Sequence, residues 1–304
     1  MQRFLLALVL FTTAPVFSQS SFKFVPINIP GATATQARGV NNYGEVVGFY
    51  QITTCSNYTL QVPSCRTKGY KLVNGNIVRL EIPHTISTTM TGVNDFGDIV
   101  GFYQNGDKSY HGFLWLHQNV IQTIDYPNTT YATVPMGVDT ALQIVGGLWS
   151  ISPTGTFPEG GWVWSNGKFS VMDLGTPGCY NCTSVNGVSN NGIIVGQASR
   201  NDFWTGWLKK ATDDDYFVQN GDTFFTGFNN NTDIVGYSAF GGGWFAKAIE
   251  ANEGTSDTEP NPNYVPVEYP NSSATYPFGL NLHDAIVGVY EDGTGSHGFM
   301  AAPE

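Results

Sequence analysis

Positive charge is scarce in this chain. Its 13 lysines and arginines face 24 aspartates and glutamates, a formal net charge of −11. Such a surface cannot displace the counterions of a phosphate backbone, which excludes nucleic acid as a partner. Charged residues of both signs are only 12% of the sequence, and no charged helical pattern occurs. Acidic residues cluster only at Asp213, Asp214 and Asp215 and around Glu250 to Glu259. These lack the ligand spacing of a calcium loop and read as solvated segments. Long apolar runs are also missing. No segment offers the roughly 20 apolar residues that a membrane-spanning helix needs. Catalytic signatures are missing too: there is no GxSxG, no HExxH and no phosphate-cradling glycine loop.

Cysteine is limited to Cys55, Cys65, Cys179 and Cys182. Two lie in one inserted loop and two form a CxxC in the loop GCYNCT. Neither a helix nor a parallel-sheet pattern surrounds the CxxC, as a redox motif would require. Zinc would need two pairs over a hundred residues apart, with no histidine spacing to support it. Local disulfides are therefore expected, with no metal and no cofactor. That expectation fits the N-terminus, MQRFLLALVLFTTAPVFSQS. One arginine precedes an apolar stretch of roughly ten residues and then small residues, the form of a secretory signal peptide. Residues 1–20 are read as that signal and 21–304 as one exported domain, secreted or extracellular, with the periplasm as the alternative.

Glycine, by contrast, is abundant, and half of the 36 glycines mark an internal repeat. Six times a glycine is followed nine residues later by a second glycine that a valine precedes. The pairs are Gly39/Gly48, Gly92/Gly101, Gly137/Gly146, Gly187/Gly196, Gly227/Gly236 and Gly279/Gly288. In each copy a third glycine then meets an aromatic: Gly69-Tyr70, Gly112-Phe113, Gly161-Trp162, Gly206-Trp207, Gly243-Trp244 and Gly298-Phe299. Spacings of 40 to 53 residues mean an array of supersecondary units.

One copy reads as four short antiparallel strands. Thr91 to Asn94 is a strand, Asp95-Phe96-Gly97 a tight turn, and Asp98 to Tyr103 the returning strand. HGFLWL and VIQTIDYP follow as the third and fourth. Four-stranded units of this period stack radially as propeller blades. The first two glycines are expected near the crowded axis or at bulges, and the aromatics between blades. The last copy, ending HGFMAAPE, lacks a fourth strand, and SFKFVPINIPGA near the start matches that pattern. The expected fold is an all-β, six-bladed β-propeller of four-stranded antiparallel blades. Its repeats start near residues 39, 92, 137, 187, 227 and 279, and a clasp strand over 22–30 completes the last blade.

The phrases GVNNYGEVVGFY, GVNDFGDIVGFY…HGFLW…IDYP and GLNLHDAIVGVY…HGFM resemble the bacterial HAF family of extracellular repeats. His111-Gly112-Phe113 and His297-Gly298-Phe299 stand where that family has its His-Ala-Phe-like strand. The resemblance covers essentially the whole chain after residue 20. It implies export and a propeller, and no established activity.

The candidate chemistry is sparse. His111 and His297 occupy equivalent repeat positions and read as structural. Glu45, Asp98 and Asp233 recur after the first turn and read as a solvated hairpin or a local cap. Asp107, Asp202 and Glu159 are loop carboxylates with no sequence link. The better signal lies in two loop sets expected on one face. Those between second and third strands carry Tyr50, Tyr103, Trp149, Phe203, Trp204 and Tyr290. The inter-blade loops NTTYATVP, NSSATYPF and HTISTT supply hydroxyls and amides. Aromatics rimmed by hydroxyls suit stacking on sugars or peptide side chains. The favoured reading is a monomeric, non-catalytic binding or scaffold module for a polysaccharide or cell-surface protein. The alternatives are a glycoside hydrolase or lyase using loop carboxylates, and a structural surface protein without a ligand.

Overall fold

A computed structural model describes residues 22–53, 66–152, 155–172, 183–200, 203–209, 216–219, 223–238, 241–247 and 264–304. At residues 152, 155, 199–200, 203–204 and 216–219 it describes backbone only. The four cysteines, the acidic clusters at 213–215 and 250–259, the signal segment and Asp202 lie outside the described residues.

The chain opens with β1 (Phe22–Ile27) and then lays down blades in order. Blade 1 is β2 (Ala34–Val40), β3 (Val46–Gln51), β4 (Lys68–Val73) and β5 (Asn76–Leu80). Blade 2 is β6 (Ser87–Val93), β7 (Ile99–Gln104), β8 (Tyr110–Leu116) and β9 (Val120–Ile124). Blade 3 is β10 (Ala132–Val138), β11 (Ile144–Ser152), β12 (Gly155–Ser165) and β13 (Lys168–Met172). Blade 4 is β14 (Thr183–Val188), β15 (Ile194–Arg200), β16 (Phe203–Lys209) and β17 (Tyr216–Gln219). Blade 5 is β18 (Thr223–Phe228), β19 (Ile234–Ser238), β20 (Gly243–Ala246) and β21 (Val265–Pro266). Blade 6 is β22 (Ala274–Leu280), β23 (Ile286–Asp292) and β24 (Gly295–Pro303), and β1 pairs with β24 from Phe22↔Pro303 to Ile27↔Gly298. The molecule is a six-bladed β-propeller closed by its N-terminal strand. The first strand of blade 2 is longer than the sequence suggests: β6 begins at Ser87, not Thr91. The polar run Ser87-Thr88-Thr89 hides that strand, because its hydroxyls are buried.

Each repeat landmark has a steric reason. The first glycines ring the axis: a Cβ on Gly39 would lie 3.0 Å from the Gly92 Cα, and one on Gly92 3.2 Å from the Gly137 Cα. The second glycines face the aromatics directly across the second and third strands, as in Gly101↔Phe113 and Gly196↔Trp207. The ring then lies where a side chain would be, and it packs on the preceding blade, as Phe113 does with Val47. The third glycines make room for the following blade: a Cβ on Gly112 would come within 2.9 Å of Pro135. The six buried aromatics therefore fill the gaps between blades, as expected.

An asparagine chain stitches the ring at its first turns. Asn94 Oδ1 accepts from the N–H groups of Phe96 and Asp98, while its amide donates to Asp98 Oδ2 and to the Asp139 carbonyl of blade 3. Asn41, Asn229 and Asn281 likewise donate to the next blade's carbonyl, each at 3.0 Å. Asp98 and Asp233 are buried in this arrangement and act as caps. Burial alone would raise the Asp98 carboxyl, but the His117 N–H, the His117 ring and the Asn94 amide outweigh it and hold it below its usual range.

Candidate functional site

Strand order fixes which loops share a face. Antiparallel strands put the second-to-third-strand loops and the inter-blade loops at one end, and the Asn-bearing turns at the other. The two loop sets are thus on one face, as the sequence implies.

The aromatics named from the sequence sit at strand ends beneath that face. Tyr50, Trp149 and Tyr290 are buried, at 2%, 2% and 7% exposure. The Arg79 guanidinium lies 5.5 Å from the Tyr50 ring centre, and Tyr269 stacks on Tyr290 at 3.6 Å. Tyr103 is half-buried, stacks on His111 at 5.3 Å and meets Thr123 through its hydroxyl at 3.1 Å. Phe203 and Trp204 belong to β16, but their side chains lie outside the described residues. Several loop hydroxyls are also structural. Thr88, Thr133 and Thr275 are buried and accept the N–H groups of Ile82, Tyr126 and Tyr269, which locks each inter-blade crossover.

Cavity size separates the remaining places. The central channel, lined by Arg38, Met136 and Phe278 among others, holds about 100 Å³, with Arg38 set 3.9 Å over the Phe278 ring. Its mouth at the Asn-bearing turns holds about 70 Å³. On the turn face, a cleft of about 400 Å³ lies beside Tyr43, Phe96 and Trp115. The largest of the four, about 520 Å³, opens on the loop face between blades 2 and 3. Ligand sites typically run to several hundred Å³, which leaves the two clefts.

The loop-face cleft brings hydroxyls, an imidazole and a carboxylate together over an aromatic floor. Trp149, Ala132 and Thr133 form its buried floor, and Tyr131, at 40% exposure, stands at its rim with Thr129 and Thr130. One wall carries a hydrogen-bonded series. Ser109 Oγ lies 2.7 Å from His111 Nε2, and His111 Nδ1 lies 2.8 Å from Asp125 Oδ2. Ser109 Oγ also lies 2.7 Å from Asp107 Oδ1, and the serine hydroxyl and N–H hold that carboxyl below its usual range. Asp107 and Glu159 lie in different blades, in the β7–β8 loop and in β12. Asp125 is the one carboxylate lining the cleft among the described residues.

Sequence reasoning on single repeats passed over Asp125. Its signal is an acid or amide placed just before an apolar residue and proline at the end of four of the six fourth strands: Glu81-Ile82-Pro83, Asp125-Tyr126-Pro127, Glu268-Tyr269-Pro270 and Asn28-Ile29-Pro30. Extending the Gly112↔Ile124 register by one residue sets His111 opposite Asp125.

No family model matches the sequence, and no curated protein sequence matches it. Solved structures resemble it in fold. Virginiamycin B lyase from Staphylococcus aureus is 10% identical, with a TM-score of 0.50 over 92% of this chain and 99% of that one. The β-propeller domain of the Trilobed protease from Pyrococcus furiosus is 9% identical, with a TM-score of 0.41 over 88% of this chain and 95% of that one. At such identity the first likeness shows the fold alone, which is that of the β-propellers. Among the described residues no helix is long and apolar enough to cross a membrane.

Proposed function

We propose that this is an exported β-propeller that recognises a polysaccharide in the loop-face cleft between blades 2 and 3. The signal-like N-terminus and the resemblance to extracellular HAF repeats support export. The observation that carries the ligand class is the cleft itself: about 520 Å³, with a tryptophan floor, an open tyrosine at the rim and hydroxyls between them. Sugar rings present an apolar face to an aromatic ring and hydroxyl edges to polar groups, and this lining offers both. The partly open Tyr131 is the stacking group in this reading, and Trp149 shapes the floor beneath it.

The test is direct binding of the purified protein to a polysaccharide panel, with and without calcium. Tyr131→Ala is expected to weaken binding about tenfold, the cost of losing one well-placed aromatic contact. It should leave the thermal midpoint unchanged, because the ring is at the surface. Binding that survives Tyr131→Ala at full strength would move the ligand off this cleft. Binding of a cell-surface protein with no polysaccharide bound would replace the ligand class.

A further inference from the structure

Three blades share one cross-strand position. The third strand's residue before its glycine stands opposite the residue that follows the fourth strand. In blade 1 these are Lys68 and Glu81, an ion pair at 2.8 Å. In blade 2 they are His111 and Asp125, also at 2.8 Å. In blade 6 they are His297 and Asn28. The bland function of the position is to staple the fourth strand to the third. Blade 2 departs from that in two ways. Its basic partner is an imidazole, whose ring nitrogen can accept and return a proton as a lysine ammonium cannot. A hydroxyl, Ser109, also meets the second ring nitrogen at 2.7 Å inside a cleft. Blade 6 has the hydroxyl and the imidazole, with Thr294 Oγ1 2.9 Å from His297 Nε2, and Asp292 meets both, but on the same nitrogen's side, while Asn28 replaces the carboxylate at the cross-strand position. Among the described residues blade 2 alone is seen to set a hydroxyl on one imidazole nitrogen and a carboxylate on the other. Such a series is recognised by geometry and role, not by sequence order.

We propose that this cleft hydrolyses carboxylic esters, with Ser109 as nucleophile, His111 as general base and Asp125 as the positioning carboxylate. The inference rests on reading the cleft as a ligand site and adds a reaction to it. With Nδ1–H donating to Asp125, Nε2 is free to accept the Ser109 proton. Ser109 Oγ then bonds to the ester carbonyl carbon, and the carbonyl π pair moves to oxygen. When that pair returns, the carbon–alkoxy bond breaks and the imidazolium gives its proton to the leaving alcohol. Water repeats the sequence on the acyl-serine: its proton passes to Nε2, the carbon–Oγ bond breaks, and Oγ recovers the proton. Ester and water become acid and alcohol, with no other reactant. Thr129, Thr130, Tyr131 and Lys108 line the same cavity and carry the donors from which oxyanion stabilisation would come. The apolar floor of Trp149, Ala132 and Ile151 suits a short acyl chain, and the polar rim suits a hydroxyl-rich alcohol. The substrate class is thus an acylated carbohydrate or a similar polyol ester.

Asp107 competes for the serine proton. Ser109 has one hydrogen and two acceptors at 2.7 Å, so the nucleophile is armed only when that hydrogen points to His111.

The experiment combines a fluorophosphonate probe, with the labelled peptide mapped by mass spectrometry, and p-nitrophenyl acetate hydrolysis. We expect Ser109 to be labelled in the unmodified protein. Ser109→Ala should abolish labelling and lower kcat/KM by roughly 10³-fold or more. Asp125→Asn should lower kcat and displace the acid limb of its pH profile, a change that lost stapling alone would not cause. Thr294→Ala, in the blade where Asn28 replaces the cross-strand carboxylate, should leave the rate unchanged. A folded protein whose Ser109 resists the probe, or hydrolysis indifferent to Ser109→Ala, overturns the proposal. Polysaccharide binding retained by Ser109→Ala in that case would leave the recognition reading standing. Ser109-dependent hydrolysis without polysaccharide binding would sink the recognition reading alone.

Discussion

At the scale of single residues, one substitution within the repeat exposes what the asparagine chain contributes. Asp139 stands where blades 1, 2, 5 and 6 have asparagine. Its Oδ1 accepts from the Ala141 and Gln143 N–H groups at 2.9 and 2.7 Å, as the asparagines' Oδ1 atoms do. A carboxylate has no N–H for blade 4's carbonyl, so the chain is interrupted there. Burial raises the Asp139 carboxyl above its usual range, although the two backbone donors oppose this. The native state therefore binds the Asp139 proton more tightly than the unfolded chain does. Stability must fall as pH rises from the unfolded carboxylate value, about 3.9, through the raised native one. Asp139→Asn removes that loss and restores the donor. It should add about 1 kcal/mol near neutral pH, with the advantage shrinking as the pH is lowered through that interval. Urea midpoints across the acid range check this, and a variant equal to wild type at pH 7 would contradict it. Asp98, with its carboxyl held low, behaves oppositely and favours folding at neutral pH.

At the scale of the element, the second strand of each blade depends on a missing side chain. A Cβ on Gly196 would sit 2.1 Å from the Ser184 carbonyl oxygen and 2.4 Å from the Trp207 ring. Neither can yield cheaply: one is the partner strand's backbone, and the other is a fully buried indole. Gly196→Ala should cost about 3 kcal/mol, whereas Gly106→Ala, with nothing within 4 Å of its Cβ, should stay within about 0.5 kcal/mol. Chemical denaturation of the two variants side by side gives the comparison. These glycines, their aromatics and the turn residues made the strands readable. The polar first strands were harder to read, since Ser87, Thr88 and Thr89 look like loop until neighbouring strands supply partners for their hydroxyls. Ser87 and Thr89 both bond to Thr67 of blade 1, at 2.7 and 2.6 Å.

At the scale of the whole molecule, closure depends on β1. Phe22 meets Phe245 edge-on at 5.9 Å, and Phe24 meets Phe299 at 5.5 Å, so the clasp packs on blades 5 and 6 as well as pairing with β24. Removing residues up to Ile27 would strip these contacts and leave β24 as an open edge. The loss should be about 4 kcal/mol of stability, together with self-association through the bare strand. Denaturation with size-exclusion chromatography would show both. A truncated chain that stays monomeric with an unchanged midpoint would mean that the ring does not need its clasp.

The sequence by itself determined the blade number, the strand count and the closure. Those follow from local demands that repeat: a glycine where backbones crowd, an aromatic opposite it, a turn after Asn. It also indicated the loop-rich face, because antiparallel alternation leaves no choice of end. The tertiary structure alone decided which side chains are open and which meet. Tyr50, Trp149 and Tyr290 look like surface aromatics in a single repeat, yet they are covered once strand ends and crossovers are in place. Ser109, His111 and Asp125 look unrelated until the β8–β9 register sets two of them opposite one another and the preceding loop delivers the third. Exposure and side-chain meeting depend on register and on the neighbouring blade, and neither quantity is local to the residues concerned.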